Sequence, residues 1–220
     1  IVGSLGAVWV AKDAYLKRYS CCRWIHPLID GLYRLRAENG FLPEEVRAIE
    51  VETFGHAVGL ANALDPDTIE AAQYSIPYCL ALACELPAER FLPLTAADLH
   101  RASAVRLGSL VRMVAVDEFE GPFPARAGGR IRISIADRQL EATVVHPVGD
   151  PGNPMTERQL ADKLAHLAAS GGRPDLPERM RLLFGLPAER VGAEIQNALA
   201  VPPLSQIHDP DTARMGLATG

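Results

Sequence analysis

The stretch Arg130-Ile131-Arg132-Ile133-Ser134-Ile135-Ala136-Asp137-Arg138-Gln139-Leu140-Glu141-Ala142-Thr143-Val144-Val145 decides the fold class. Ile131, Ile133 and Ile135 alternate with Arg130, Arg132 and Ser134, which is the period of a strand with one dry and one wet face. Leu140–Val145 reads as a second strand, and Ala136–Gln139 is short enough to join the two as a hairpin. Upstream, Val111–Val116 predicts another strand. Ile49, Val51 and Thr53, alternating with Glu50 and Glu52, predict a fourth.

Helical patterns lie between these strands. Ile25, Leu28, Ile29, Leu32 and Leu35 share one face, and Gly40 stands where a C-terminal cap belongs. Asp65-Pro66-Asp67-Thr68 reads as a helix start. The helix is expected to run to Leu86 with Pro77 inside it, and the missing donor predicts irregular backbone near Tyr78. A further helix is expected within Leu94–Leu110, roughly Ala96–Leu107. Ala7–Tyr19 reads as extended. Strands separated by helices, with a late hairpin, give an α+β layer domain.

The character changes at Val148-Gly149-Asp150-Pro151-Gly152-Asn153-Pro154, a natural boundary rich in Gly and Pro. The expected division is therefore residues 1–150 and 151–220. Thr156 and Gln159 have capping-box spacing ahead of Leu160, Leu164 and Leu167. Gly171-Gly172 should end that helix. Shorter helices are expected near Pro177–Phe184 and Pro187–Ala200, with a loose tail after Pro203. These amphipathic helices have little else in the chain to cover them. With an opening at Ile1 in mid-pattern, they suggest a fragment of something longer.

Composition narrows the function classes. The 220 residues are 48% hydrophobic and 22% charged, with a formal net charge of -5, as in a soluble globular protein. That balance argues against nonspecific nucleic-acid binding, but not against an anionic substrate, since a pocket can be locally positive. No apolar run is long enough to span a bilayer. The four cysteines, Cys21, Cys22, Cys79 and Cys84, form no C-x-x-C pair, and none joins a histidine at zinc spacing, so no metal site is expected. A reduced, cytoplasmic setting is the simpler reading. His56, His100, His146, His166 and His208 are scattered, and the Gly149–Pro154 turn lacks the lysine of a nucleotide-binding loop.

Three segments carry a resemblance. Leu16-Lys17-Arg18-Tyr19-Ser20-Cys21-Cys22-Arg23-Trp24-Ile25-His26-Pro27-Leu28-Ile29-Asp30 resembles the K-P-Y-x-x-C-R-x-x-H-x-x-x-D segment of the MmgE/PrpD family, the 2-methylcitrate dehydratase-like enzymes. It matches at Lys17, Tyr19, Cys22, Arg23, His26 and Asp30, and departs at Arg18, where the family often has proline. Glu70–Tyr78 is similar to the family's E-A-Q-F-S-x-P-Y stretch, and Pro147–Thr156 to its P-x-G-x-P-x-N-P turn. The resemblance implies a smaller α+β lid followed by C-terminal helices of an all-helical domain, whose N-terminal half is absent here. It also implies a homodimer that needs no metal or other cofactor.

The family's dehydratases remove water from a β-hydroxy polycarboxylate, and sister activities include decarboxylation and epimerisation. Taking a proton from carbon beside a carboxylate places charge on that carboxylate, where a cation stabilises the transition state most. The resemblance places Lys17 in that electrostatic role and Tyr78 as a catalytic hydrogen-bond or proton donor. The alternatives are a surface lysine and a core tyrosine. Arg23, His26 and Cys22 are the expected substrate-binding residues. Arg23 offers a planar fork for a carboxylate or an internal ion pair. His26 is a titrating group or a helix-start cap, and Cys22 a motif residue or a packed thiol. Asp30 reads as a helix surface residue. Two functions compete: the C-terminal part of a polycarboxylate lyase, inactive without its N-terminal half, and a non-catalytic interaction fragment.

Overall fold

A computed structural model describes residues 14–136 and 138–183, together with residues 190 and 195. Among these, residues up to Leu167 form one compact unit and those from Ala168 a second. In chain order the elements are α1 (His26–Asn39), β1 (Val46–Thr53), α2 (Gly55–Val58), α3 (Ile69–Gln73), α4 (Ile76–Glu85) and α5 (Ala102–Gly108). They continue with β2 (Val111–Ala115), α6 (Asp117–Glu120), β3 (Gly129–Ile135), β4 (Arg138–Val144), α7 (Glu157–Ser170) and α8 (Leu176–Leu183). The α+β class expected from the alternating patterns is the one observed.

The four strands form one mixed sheet in the order β2-β1-β3-β4. β1 and β2 run parallel, with the helices between them as the crossover, whereas β3 pairs antiparallel with both β1 and β4. Ile135 faces Arg138 in the hairpin, and Ala136 takes a φ of 48°, a positive φ of the kind that two-residue connections require. The isoleucines of β3 point inward and are fully buried. They meet Ile49 and Val51 on β1 and the Leu28, Ile29, Leu32 and Leu35 face of α1. The outward residues form an ion-pair lattice. Arg130 Nη1 meets Glu52 at 2.5 Å and its Nη2 meets Glu118 at 2.7 Å, while Arg132 contacts Glu52 and Glu141 at 2.5 Å each. This solvated face follows from the same two-residue period that buries the isoleucines.

Several expectations hold in detail. Gly40 caps α1 with φ 66° and its N–H donates to Arg36 O. Thr68 caps α3 by accepting Ala71 N–H at 3.0 Å. Thr156 and Gln159 close the expected box, with Thr156 N donating to Gln159 Oε1 at 2.9 Å and Gln159 N to Thr156 Oγ1 at 3.2 Å.

Other expectations are corrected. The single helix from Thr68 to Leu86 is two helices, broken at Tyr74 and Ser75. Ser75 Oγ caps the second by accepting Tyr78 N–H at 3.1 Å. Pro77 therefore lies in the first turn of α4, where no intrahelical donor is needed, and the irregular backbone precedes it. The helix expected over Ala96–Leu107 is a short turn, Ala96–Asp98, followed by α5. His100 between them has φ 52°, which a continuing right-handed helix cannot accommodate. Of the stretch Ala7–Tyr19 read as extended, residues 14–19 form no strand and residues 7–13 lie outside the described residues. Apart from residues 190 and 195, which are helical, the helix expected at Pro187–Ala200 and the tail lie outside the described residues.

In the second unit, α8 covers most of the predicted Pro177–Phe184 helix. Gly172, with φ 71°, donates its N–H to Ala169 O and ends α7 where the Gly171-Gly172 pair predicted.

Candidate functional site

The segment Ala14–Cys22 has no ladder of its own, so its backbone groups find partners elsewhere, as buried chain must. Leu16 N donates to Gly149 O at 2.8 Å, Ser20 N to Phe91 O at 2.9 Å and Cys22 N to Gln73 O at 2.8 Å. Lys17 O accepts the Lys163 ammonium of α7 at 2.6 Å. Backbone on either side of Lys17 is thus held, while its side chain is exposed.

Behind Lys17 the motif residues turn inward. Tyr19 is fully buried among the rings of His26, Tyr33 and Phe91, with centroids 5.2 to 5.8 Å away. Its hydroxyl donates to Asp30 Oδ1 at 2.5 Å, and Asp30 Oδ2 accepts Val148 N–H at 2.6 Å. Asp30 is therefore no surface residue: its carboxylate joins the first motif to the Pro147–Thr156 turn. Burial raises its carboxyl pKa, opposed by the bonds from Tyr19 and Val148.

Arg23 makes the second link. Its Nε and Nη2 both donate to Asp150 Oδ1, at 3.1 and 2.6 Å, and its guanidinium lies 4.6 Å from the Tyr15 ring centroid. The fork that could grip a substrate carboxylate is engaged by an internal one. Asp150 was read only as part of a boundary turn, and a charged partner 127 residues away in sequence leaves no local signal.

His26 sits at the start of α1 with 2% of its surface exposed, and its Nε2 is buried without a hydrogen-bond partner. Burial, reinforced by the positive charges of Lys17 and Arg23, pushes its pKa down to about 3, although the carbonyls of Cys21 and Tyr19 oppose the shift. The imidazole is neutral at pH 7. Burial also raises the thiols of Cys21 and Cys22, so both are protonated packed groups.

The low His26 pKa predicts an acid lability. Between its ordinary 6.5 and about 3, the unfolded chain takes up a proton at this ring that the folded chain refuses. The stability from this group is complete above pH 6.5 and is lost as the pH falls toward 3, by at most about 1.4 kcal/mol per pH unit. Asp30 acts in the opposite sense: its raised pKa makes the folded chain hold that proton more tightly, so its contribution declines as pH rises through the raised value. In urea titrations, His26→Gln is expected to flatten the fall of the unfolding midpoint between about pH 6.5 and about pH 4.5. A slope identical to wild type would assign the lability to other groups.

Tyr78 lies apart from this cluster. It is fully buried in the first turn of α4, and its hydroxyl donates to Asp98 O at 2.7 Å. Its hydroxyl is engaged by the 95–101 loop, whereas the Lys17 carbonyl is engaged by Lys163 of α7. The structure brings Lys17, Cys22, Arg23 and His26 together, and the hydrogen bonds of Tyr78 go to other residues. Among the described residues, no group of three His, Cys, Asp or Glu side chains is placed to hold a metal ion, and no helix is long and apolar enough to cross a membrane.

The same two segments that clamp each other, the Lys17–Asp30 motif and the Pro147–Thr156 turn, fall almost wholly within one family match. The model of the MmgE/PrpD C-terminal domain matches residues 19–182. The chain belongs to the MmgE/PrpD family. None of the curated proteins compared with it matches. MmgE/PrpD proteins are generally lyases or isomerases, and in this member the contacts that join the motif to the turn are Arg23–Asp150, Tyr19–Asp30–Val148 and Leu16–Gly149.

Proposed function

We propose that the chain is the lid and C-terminal helical part of a polycarboxylate lyase. The reaction it fits best is dehydration of a 2-methylcitrate-like hydroxy acid. The supporting observation is Lys17: an exposed ammonium on a backbone gripped from both sides, beside a buried imidazole kept neutral. A fixed cation needs no reorganisation as charge develops, which is the condition for stabilising a transition state more than a ground state.

In this reading one substrate carboxylate docks on Lys17. As a base removes the proton from the adjacent carbon, negative charge moves onto that carboxylate and its attraction to the ammonium grows. The hydroxyl leaves from the neighbouring carbon with a proton from a general acid. Base and acid come from the N-terminal half. Arg23, His26 and Cys22 serve behind Lys17 rather than on the substrate. Arg23 fixes the turn, and His26 and Cys22 fill the space beneath without adding charge. Tyr78, its proton committed to Asp98 O, holds the 95–101 loop against α4.

The test is an ultraviolet assay for a new conjugated double bond. Citrate and 2-methylcitrate are offered to the chain alone and to the chain with an N-terminal half supplied. Activity in the second sample only is the expected result. Release of carbon dioxide, or inversion of a stereocentre without a new double bond, would replace dehydration by the decarboxylase or epimerase chemistry of the same family. No consumption of any polycarboxylate in either sample would favour the non-catalytic fragment.

A further inference from the structure

We propose that Lys163 is a positioning residue for Lys17, an inference that rests on the reading of Lys17 given above. Lys163 lies on α7, 146 residues from Lys17, yet its ammonium donates to the Lys17 carbonyl at 2.6 Å. The distance is that of a charge-assisted bond. The donor is half-buried, and burial lowers its pKa.

The face of α7 that carries it is organised around this contact. Gln159, Lys163 and His166 recur at helical spacing and line one cavity with Arg18 and Leu92. At the start of the same helix Gln159 closes the cap on Thr156, and Met155, just before it, is 9% exposed and packs near Gly149. The helix is therefore anchored at the turn that receives Leu16 N–H, and Lys163 extends that anchorage across the next residue. Gly149 O holds the amide of Leu16, one residue before Lys17, and Lys163 holds the carbonyl of Lys17 itself.

The two bonds restrain the backbone that carries the Lys17 side chain, from Leu16 N to Lys17 O. Without the Lys163 bond the Lys17–Arg18 peptide can rotate, and the base of the Lys17 side chain moves with it. Misplacement of a stabilising charge lowers the rate of the chemical step more than it weakens binding. Lys163 touches no substrate in this account.

The experiment compares Lys163→Met, Lys163→Arg and Lys17→Met in the chain joined to its N-terminal half, and follows amide hydrogen exchange in the full chain. Lys163→Met is expected to lower kcat/KM about tenfold, mainly through kcat, with exchange at the Leu16 amide, which Gly149 O protects, about tenfold faster and α1 unchanged. Lys163→Arg should restore most of the loss, since it returns a cationic donor. A merely structural role would instead speed exchange across α1 and α7 alike, with no split between kcat and KM. Unchanged exchange at Leu16, or an unchanged kcat in Lys163→Met, overturns the proposal. If Lys17→Met itself leaves turnover unchanged, it is the reading of Lys17 that fails, and the exchange result still decides whether Lys163 clamps the segment.

Discussion

Alanine at Gly149 is expected to detach the turn from the Lys17 segment and to cost about 3 to 5 kcal/mol of stability. Gly149 has φ 98°, and a Cβ there would stand 2.0 Å from Leu16 O and 3.1 Å from the Leu16 carbonyl carbon. The obstacle is backbone, so no rotamer change relieves it. Room can be made only by lengthening the Leu16 N–Gly149 O bond or the Gly149 N–Asn153 O bond, at 2.8 and 2.9 Å. Either leaves a main-chain group without its partner, in addition to the strain of an L residue at that φ. Urea unfolding measures the loss, and exchange at the Leu16 amide locates it. A loss below about 1 kcal/mol would mean that the turn can let go of Leu16 freely, and that the grip on Lys17 is weaker than these contacts imply.

The second large effect is chemical. Lys17→Ala is expected to lower turnover by about 10²- to 10³-fold, the usual consequence of removing one preorganised stabiliser of a developing charge. The side chain is exposed and its backbone contacts survive the substitution, so the unfolding midpoint should barely move. Kinetics separate the two ways in which a cation helps. A fall in kcat marks an attraction that grows in the transition state, whereas a rise in KM with kcat intact marks uniform binding of the carboxylate. If both constants stay at wild-type values, Lys17 takes no part in the reaction.

The sheet was the most legible part of the fold. The Ile131, Ile133 and Ile135 alternation states which face is dry, and a one-residue slip would bury Arg130 and Arg132. Helix ends were legible where the cap is local: a side-chain oxygen at Thr68 and Thr156, and a left-handed glycine at Gly40. Helix interiors misled where a cap was hidden inside an apolar run. Ser75 stands between Tyr74 and Ile76 without interrupting the hydrophobic pattern, yet its hydroxyl starts a new helix. Pro77 marked the place, two residues late. His100 broke the following helix through a positive φ that its neighbours do not announce.

The site was legible only in part. The motif resemblance singled out Lys17, Cys22, Arg23 and His26, and the structure places the four near one another. The inner partners were not readable, because each is distant in sequence. Asp30 resembles any acid on an amphipathic helix until Tyr19 and Val148 are seen on either side of it. Asp150 and Lys163 carry no pattern at all; only folding brings them beside Arg23 and Lys17. Tyr78 shows the converse, a motif residue whose hydroxyl the fold turns toward a backbone carbonyl.

The grip on Lys17 also sets an order of events. A chain is made from its N-terminus and folds as its pieces emerge. Yet the Lys17 segment takes its partners from Gly149 and Lys163, well over a hundred residues later. Local helices such as α1 can form early, and the β3–β4 hairpin closes on its own. The segment between Ala14 and Cys22 must wait, because loop closure over such a span precedes any reward from the contact. The ammonium proposed to do the chemistry is therefore made well before the residues that hold its segment, and that segment settles only once α7 is in place.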